Sequence, residues 1–456
     1  MRRRLGLAAL VAAALLACGA SSASATRGLD LGILDPVYQS SDAGARQFWL
    51  DRTVNARANL VLLAVRWTAI EPAPGDYHWE GLDDAVRDAT ARGLKVMIVV
   101  SQAPPWAEGN DDPNDETRAP AYTWKPRTGP LENFGHAIAA HYSGAYPLVP
   151  RVKLFQLWAE PNLNTRLSPQ FYHGHPVAPK YYRKMLNAFY KGVHSAKHGD
   201  KVVTGGTAPY GDLGRVQFRT PPVAFWRAVL CLRGHRLKPI KCKHPAHFDI
   251  LAHHPIGQGR PERHARNPLD AVVPDMGKIK RVLRKAERTG RVRPKGHRPI
   301  WVTEIWYESK PPDPYGVSEA TQARYLEQDL YLLWKQAIGL VIWAEIVDQG
   351  LDVNGTYNLT FQTGLFFGNG TPKLAYKAYR FPFVGDRLTK RKVRVWGKAP
   401  TAGNVSIQRK SGGSWNQVKS VHAGGSHVFL SSIHLRGNAK LRAVEGSEES
   451  LAWTQR

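Results

Sequence analysis

Leu154-Phe155-Gln156-Leu157-Trp158-Ala159-Glu160-Pro161-Asn162 is an apolar run that delivers a carboxylate at its end and is halted at once by proline. Proline cannot continue a strand's hydrogen-bond ladder, so the run predicts a buried strand with Glu160 fixed at its tip. Pro299-Ile300-Trp301-Val302-Thr303-Glu304-Ile305-Trp306 repeats the device later in the chain. Two strands built alike, each ending in a glutamate, set the question of what sheet would hold both.

Working outward, eight short runs rich in Leu, Val and Ile recur: 29–34, 60–66, 95–101, 152–159, 202–207, 247–254, 299–304 and 340–345. Between them lie amphipathic stretches, clearest at 79–92, 179–198, 271–288 and 318–337. Ala85, Val86 and Ala89 form the apolar stripe of the first, with Asp83, Asp84, Arg87 and Arg92 on the other side. Continuous apolar strands alternating with amphipathic helices are the pattern of a parallel sheet covered by helices, and eight such units close into an α/β TIM (β/α)8 barrel. After Pro382 the pattern changes to short alternating segments, 393–396, 405–408 and 426–430, separated by Gly412-Gly413 and Gly424-Gly425. These predict a small C-terminal antiparallel β domain. The expected organisation is a barrel over 26–385 and an accessory domain over 386–456.

Polar residues that end barrel strands face the C-terminal mouth, where active sites sit. Five runs end so: at Arg66, Ser101, Glu160, His253-His254 and Glu304. The fourth and seventh strands face each other across a closed barrel, so Glu160 and Glu304 are expected to straddle one bound sugar. Retaining glycosidases place two carboxyls about 5–5.5 Å apart, one protonated and one ionised. The sequence predicts Glu304 held charged by Arg66, and Glu160 raised in pKa by the apolar surroundings of Trp158. A strand-end glutamate is also often a plain surface carboxylate, and His253, His254 and Arg66 each carry a structural reading beside the functional one.

These residues also resemble clan A of the glycoside hydrolases, most nearly families 5 and 39. Besides the two glutamate strands, Arg66-Trp67, the Pro72-Ala-Pro-Gly75-Asp-Tyr77-His-Trp79 stretch, Gly364-Leu365-Phe366 and Thr371-Pro372-Lys373 to Tyr376 carry the resemblance. It implies a barrel hydrolase with Glu160 as acid/base, Glu304 as nucleophile and Trp343 as a sugar platform. Trp106, Trp158 and Trp306 join Arg66, His253 and His254 as candidate sugar contacts. Two departures stand out: Ala159 replaces the family's Asn before the acid/base, and no Tyr follows Ala252-His253-His254-Pro255. They keep open a glycan-binding protein that has lost catalysis, and a transglycosylase using the same residues is a third reading. Glu345, two residues after Trp343, is a rival carboxylate.

Composition bounds the rest. The 14 Trp suit flat sugar rings or a Trp-rich core equally. A formal charge of +26 arises largely from 278–298 and the tail after Asp386. Neither stretch interleaves aromatics, which argues against nucleic acid and leaves retention on an anionic envelope or polysaccharide, or merely solvated faces. Residues 1–25 read as an export signal, with Ala23-Ser24-Ala25 as cleavage site; Leu15-Leu16-Ala17-Cys18 alternatively reads as a lipobox anchoring the protein through Cys18. Secretion would leave Cys231 and Cys242 as a disulfide candidate, with zinc, helped by His235 and His244, the lesser reading. The acidic run 111–116 lacks ordered calcium-ligand spacing and reads as a solvated loop. No cofactor and no later membrane span are implied.

Overall fold

The computed structural model describes residues 27–109, 119–212 and 218–455. The export segment with Cys18 and the acidic run 111–116 lie outside the described residues. Eight parallel strands form the central sheet: β1 (Asp30–Leu34), β2 (Leu60–Arg66), β3 (Lys95–Ser101), β4 (Leu154–Leu157), β5 (Lys201–Thr204), β6 (Leu251–His253), β7 (Ile300–Ile305) and β8 (Leu340–Ala344). Their order is β6-β7-β8-β1-β2-β3-β4-β5. The remaining gap, between β5 and β6, is spanned by isolated parallel bridges at Val203–Ile250 and Thr207–His253. The Thr204 amide donates to the Ile250 carbonyl at 3.0 Å, and the Thr204 hydroxyl accepts the Ala252 amide at 2.8 Å. The sheet is thereby a closed TIM barrel.

One helix of seven residues or more separates or follows each strand: α1 (Ala43–Asn55), α2 (Glu80–Ala91), α3 (Thr128–His141), α4 (Ala178–Ala196), α5 (Pro222–Val229), α6 (Met276–Arg288), α7 (Glu319–Lys335) and α8 (Leu374–Arg380). The strand pleat sorts side chains into two cores. Leu60, Leu62, Met97, Val99, Val203, Ile250, Ala252, Leu340 and Ile342 fill the barrel interior. Val61, Leu63, Val65, Ile98, Val341 and Trp343 point outward and join the larger core under the helices. On α6 the buried face is Met276, Ile279, Val282, Leu283 and Ala286. Of its cations, Lys278 pairs with Asp275 at 3.1 Å and Arg284 with Glu287 at 2.5 Å, while Arg281 and Arg288 are exposed.

The C-terminal region is antiparallel, in one sheet ordered β9 (Phe383–Thr389), β10 (Lys392–Lys398) and β13 (Val428–His434), and a second built on β11 (Gly403–Ser411), β12 (Ser414–Ala423) and β14 (Ala439–Glu445) with two short strands. It docks on α7. Trp334 packs on Trp396 with ring centroids 5.8 Å apart, the Tyr331 hydroxyl donates to Asp386 at 2.5 Å, and Glu327 accepts the Phe383 amide at 3.3 Å. Tryptophan serves the core at five positions, Trp67, Trp158, Trp226, Trp343 and Trp396, all fully buried. Among the described residues no helix is long and apolar enough to cross a membrane.

Candidate active site

Glu160 reaches the mouth because the chain turns sharply after β4. Trp158 and Glu160 both adopt left-handed backbone, φ 70° and 49°, which costs a non-glycine residue about 1–3 kcal/mol and persists only where neighbours enforce it. The enforcement is visible. The Trp158 amide donates to Val100 at 2.7 Å and the Glu160 amide to the Gly206 carbonyl at 2.8 Å. Buried Asn162 clamps the corner, donating to the carbonyls of Ala208 (3.2 Å) and Thr220 (3.0 Å) and accepting the Ala208 amide at 2.8 Å.

Glu304 arrives differently. On β7, Val302 pairs with Val341 and Ile305 with Trp343, so three steps on one strand match two on the other. This bulge carries Thr303 and Glu304, and an extra residue in a strand re-aims its side chains. The Trp306 indole donates to Oε1 of Glu304 at 3.1 Å.

The two carboxyls converge on His254. Its Nδ1 lies 3.3 Å from Oε1 of Glu160 and 3.6 Å from Oε2 of Glu304, and its Nε2 lies 3.1 Å from the Thr303 hydroxyl. Two oxygens this close to one nitrogen are within about 7 Å of each other, inside the reach of one sugar's glycosidic linkage. Room for the ring comes from Gly206, where a Cβ would fall 2.1 Å from His254 Nε2. Burial pulls the His254 pKa down, but the charges of Glu304 and Glu160 outweigh it, and the net shift is upward. Burial raises Glu304, the His254 cation opposes this, and the Glu160 charge adds to it.

Several sequence expectations need correction. Arg66 is exposed on the inward-facing side of β2 and has no ion pair among the described residues; the cations acting on Glu304 are His254 and Arg166, the latter an exposed residue of the loop after β4 that no strand pattern marks. Burial acts on Glu304 as well, raising its pKa, where the sequence placed a desolvation effect only beside Trp158. Trp158 is 1 % exposed, with its indole donating to the Arg166 carbonyl at 2.6 Å, so it is a core residue rather than a sugar contact. Trp343, 1 % exposed, donates to the Thr363 carbonyl at 2.9 Å and points away from the barrel interior, which removes it as platform. His253 is structural: the Thr207 hydroxyl lies 2.8 Å from Nδ1 and the Ala271 carbonyl 2.9 Å from Nε2, and burial lowers its pKa to about 4. His254 alone of the pair faces the carboxyls.

Trp106 is half-buried at the rim, its indole donating to the Glu71 carbonyl at 3.2 Å and its ring edge-on to Trp67. The rival Glu345 is only 4 % exposed; it accepts the Gln349 amide at 2.5 Å and is held neutral, its pKa pushed up to about 9 by burial and then by Asp35. Cys231 and Cys242 form a disulfide. Among the described residues no cluster of three or more His, Cys, Asp or Glu side chains is arranged to hold a metal ion.

No protein-family model matches the chain, and no curated relative does either. Solved structures do. A family 39 glycoside hydrolase from Bacteroides cellulosilyticus WH2 aligns over 90% of this chain and 80% of its own, with TM-score 0.59 and 17% identity. A glucosidase from Croceicoccus marinus aligns over 90% of this chain and 94% of its own, with TM-score 0.51 and 14% identity. A GH5_18 structure from Streptomyces cattleya in complex with GlcNAc aligns over 78% of this chain and 80% of its own, with TM-score 0.51 and 16% identity. At these identities the likeness establishes a shared fold, the (β/α)8 barrel.

Proposed function

We propose that this protein hydrolyses O-glycosidic bonds of an oligo- or polysaccharide by double displacement, with Glu160 as acid/base and Glu304 as nucleophile. The observation that carries the reading is the convergence of both carboxyls on the buried His254, at 3.3 and 3.6 Å, at the C-terminal mouth of the barrel. The likeness in fold to solved glycoside hydrolases supports it.

The division of labour follows from what each carboxyl touches. Glu304 has one oxygen on the Trp306 indole and the other toward His254, and both oppose the burial that raises its pKa. Oε2 of Glu160 has no hydrogen-bond partner among the described residues and is free to carry a proton to a leaving group. Protonation of Glu160 also removes the neighbouring charge that raises Glu304, so each state of one residue favours the complementary state of the other. In the first step Glu304 attacks the anomeric carbon as Glu160 protonates the departing oxygen; in the second Glu160 takes a proton from water, which releases the sugar from its ester with Glu304.

Glu304→Gln should abolish turnover, and Glu160→Ala should slow natural linkages by about 10²–10⁴ while sparing aryl glycosides whose leaving group needs no proton. Reducing-sugar release from a panel of plant and bacterial polysaccharides, with NMR of the first-formed anomer, tests both steps. Parent-like rates in both variants would overturn the reading, and an inverted anomer would overturn the double displacement. Export is part of the same proposal: the Cys231–Cys242 disulfide suits an oxidising compartment.

A further inference from the structure

The loops after β5 and β6 line an open cleft of about 440 Å³, a volume in the range of small-ligand pockets. Tyr210 lies three residues beyond Thr207 and Gln258 four beyond His254. The Gln258 amide donates to the Tyr210 hydroxyl oxygen at 3.2 Å, and both loops leave the C-terminal ends of their strands, the end of the barrel at which Gly206 and His254 follow β5 and β6. Arg263, Arg266, Asn267 and Asp270 share the lining.

What distinguishes the cleft is uncompensated charge. Three nearby cations have carboxylate partners: His264 meets Asp275 at 2.8 Å, Lys278 meets the same residue at 3.1 Å, and Arg219 meets Asp212 at 2.6 Å. Asp270 is engaged by the Gly211 amide at 3.0 Å. The side chains of Arg263 and Arg266, both exposed, have neither hydrogen bond nor ion pair among the described residues. Arg166, equally unpaired, stands within electrostatic reach of Glu304 and His254. Arg263 also borders a larger crevice of about 1440 Å³ between α7 and the β domain. Planar guanidinium groups hold carboxylates, sulfates and phosphates through paired N–H donors, whereas a neutral sugar gives them no counter-charge.

We propose that this cleft is a subsite for a sugar carrying an anionic group, a carboxylate or a sulfate or phosphate ester, and that the substrate is therefore an acidic glycan. This rests on the glycosidase reading for what occupies the mouth, so binding is measured apart from turnover. In a Glu160→Gln/Glu304→Gln background, calorimetry at physiological salt would compare oligosaccharides of polyglucuronate, alginate and polygalacturonate with their carboxyl-reduced counterparts, and dextran sulfate with dextran. At least one acidic ligand is expected to bind tenfold or more tighter than its neutral counterpart. Preference confined to dextran sulfate would identify the ester as the charge recognised. Arg263→Ala/Arg266→Ala should bring acidic and neutral ligands within about twofold, while Arg281→Ala/Arg288→Ala, which removes the same charge from the exposed side of α6, should retain the preference. No preference in any pair, or equal loss in both double variants, would overturn the subsite. Turnover of neutral glycans without acidic preference sinks this proposal alone; acidic binding with no hydrolysis by the parent sinks the hydrolase and leaves the subsite standing.

Discussion

Glu345→Gln isolates one buried proton. In the folded protein this carboxyl is 4 % exposed and its pKa lies near 9, against an ordinary 4.5. Its Oε1 accepts from Gln349 and its Oε2 has no partner, so an amide in its place loses no bond. Because the folded pKa is the higher one, its contribution to stability is fully present below about 4.5 and is lost as pH rises towards 9. Between those limits the unfolded chain has released a proton that the native state still holds, which costs somewhat over 1 kcal/mol per pH unit. From pH 5 to pH 8 the parent should therefore lose roughly 4 kcal/mol that the variant keeps. Asp35, raised by burial to about 6, titrates in both proteins and cancels in the comparison, since Glu345 is uncharged over this interval. Urea unfolding followed by tryptophan fluorescence at pH 5, 6, 7 and 8 measures the difference. A gap between variant and parent that does not widen with pH would mean that Glu345 is ionised in the fold, and loss of turnover at pH 6 would mean that it, and not Glu304, is the reacting carboxyl.

Other expectations follow from contacts already described. Gly206→Ala puts a methyl into the His254 ring and should cut kcat/KM by about 10² or more with the circular dichroism unchanged, because small displacements of positioned groups are costly. Lys373→Met leaves Asp348 in the core without its cation, which now sits at 2.5 Å, and with only the Gly364 amide donating to it, and should destabilise the protein by about 3–5 kcal/mol in denaturant melts. Cys231→Ser/Cys242→Ser opens a short loop and should lower stability by about 2–3 kcal/mol, read as a shift in unfolding midpoint.

The barrel was legible because a parallel sheet buried on both faces turns its strands into continuous apolar runs. Helices whose inward face is visibly apolar were legible too. α1 was not, since Arg46 and Thr53 occupy buried positions beside Trp49 and Leu50 and blur the stripe. The exposed strand β12 escaped for the opposite reason, having almost no buried residue to mark an alternation. Within the site, Glu160 could be found from the proline that follows it and Glu304 from its place near the end of an apolar run. The tryptophans could not be assigned, because a shift of one residue reverses the face of a strand and nothing in the sequence fixes that register. The same ambiguity hid which of His253 and His254 looks into the mouth. The bulge that brings Glu304 inward is a mismatch between two strands, so it exists only in their pairing.

The barrel's closure has a mechanical consequence. β5 and β6 meet through a few bridges, not a full ladder, and both ends of the catalytic arrangement are fastened there, Glu160 through the Gly206 carbonyl and His254 through the Thr207 carbonyl. The carboxyls thus sit astride the cylinder's weakest joint, and any ligand gripped between them would also act as its rivet.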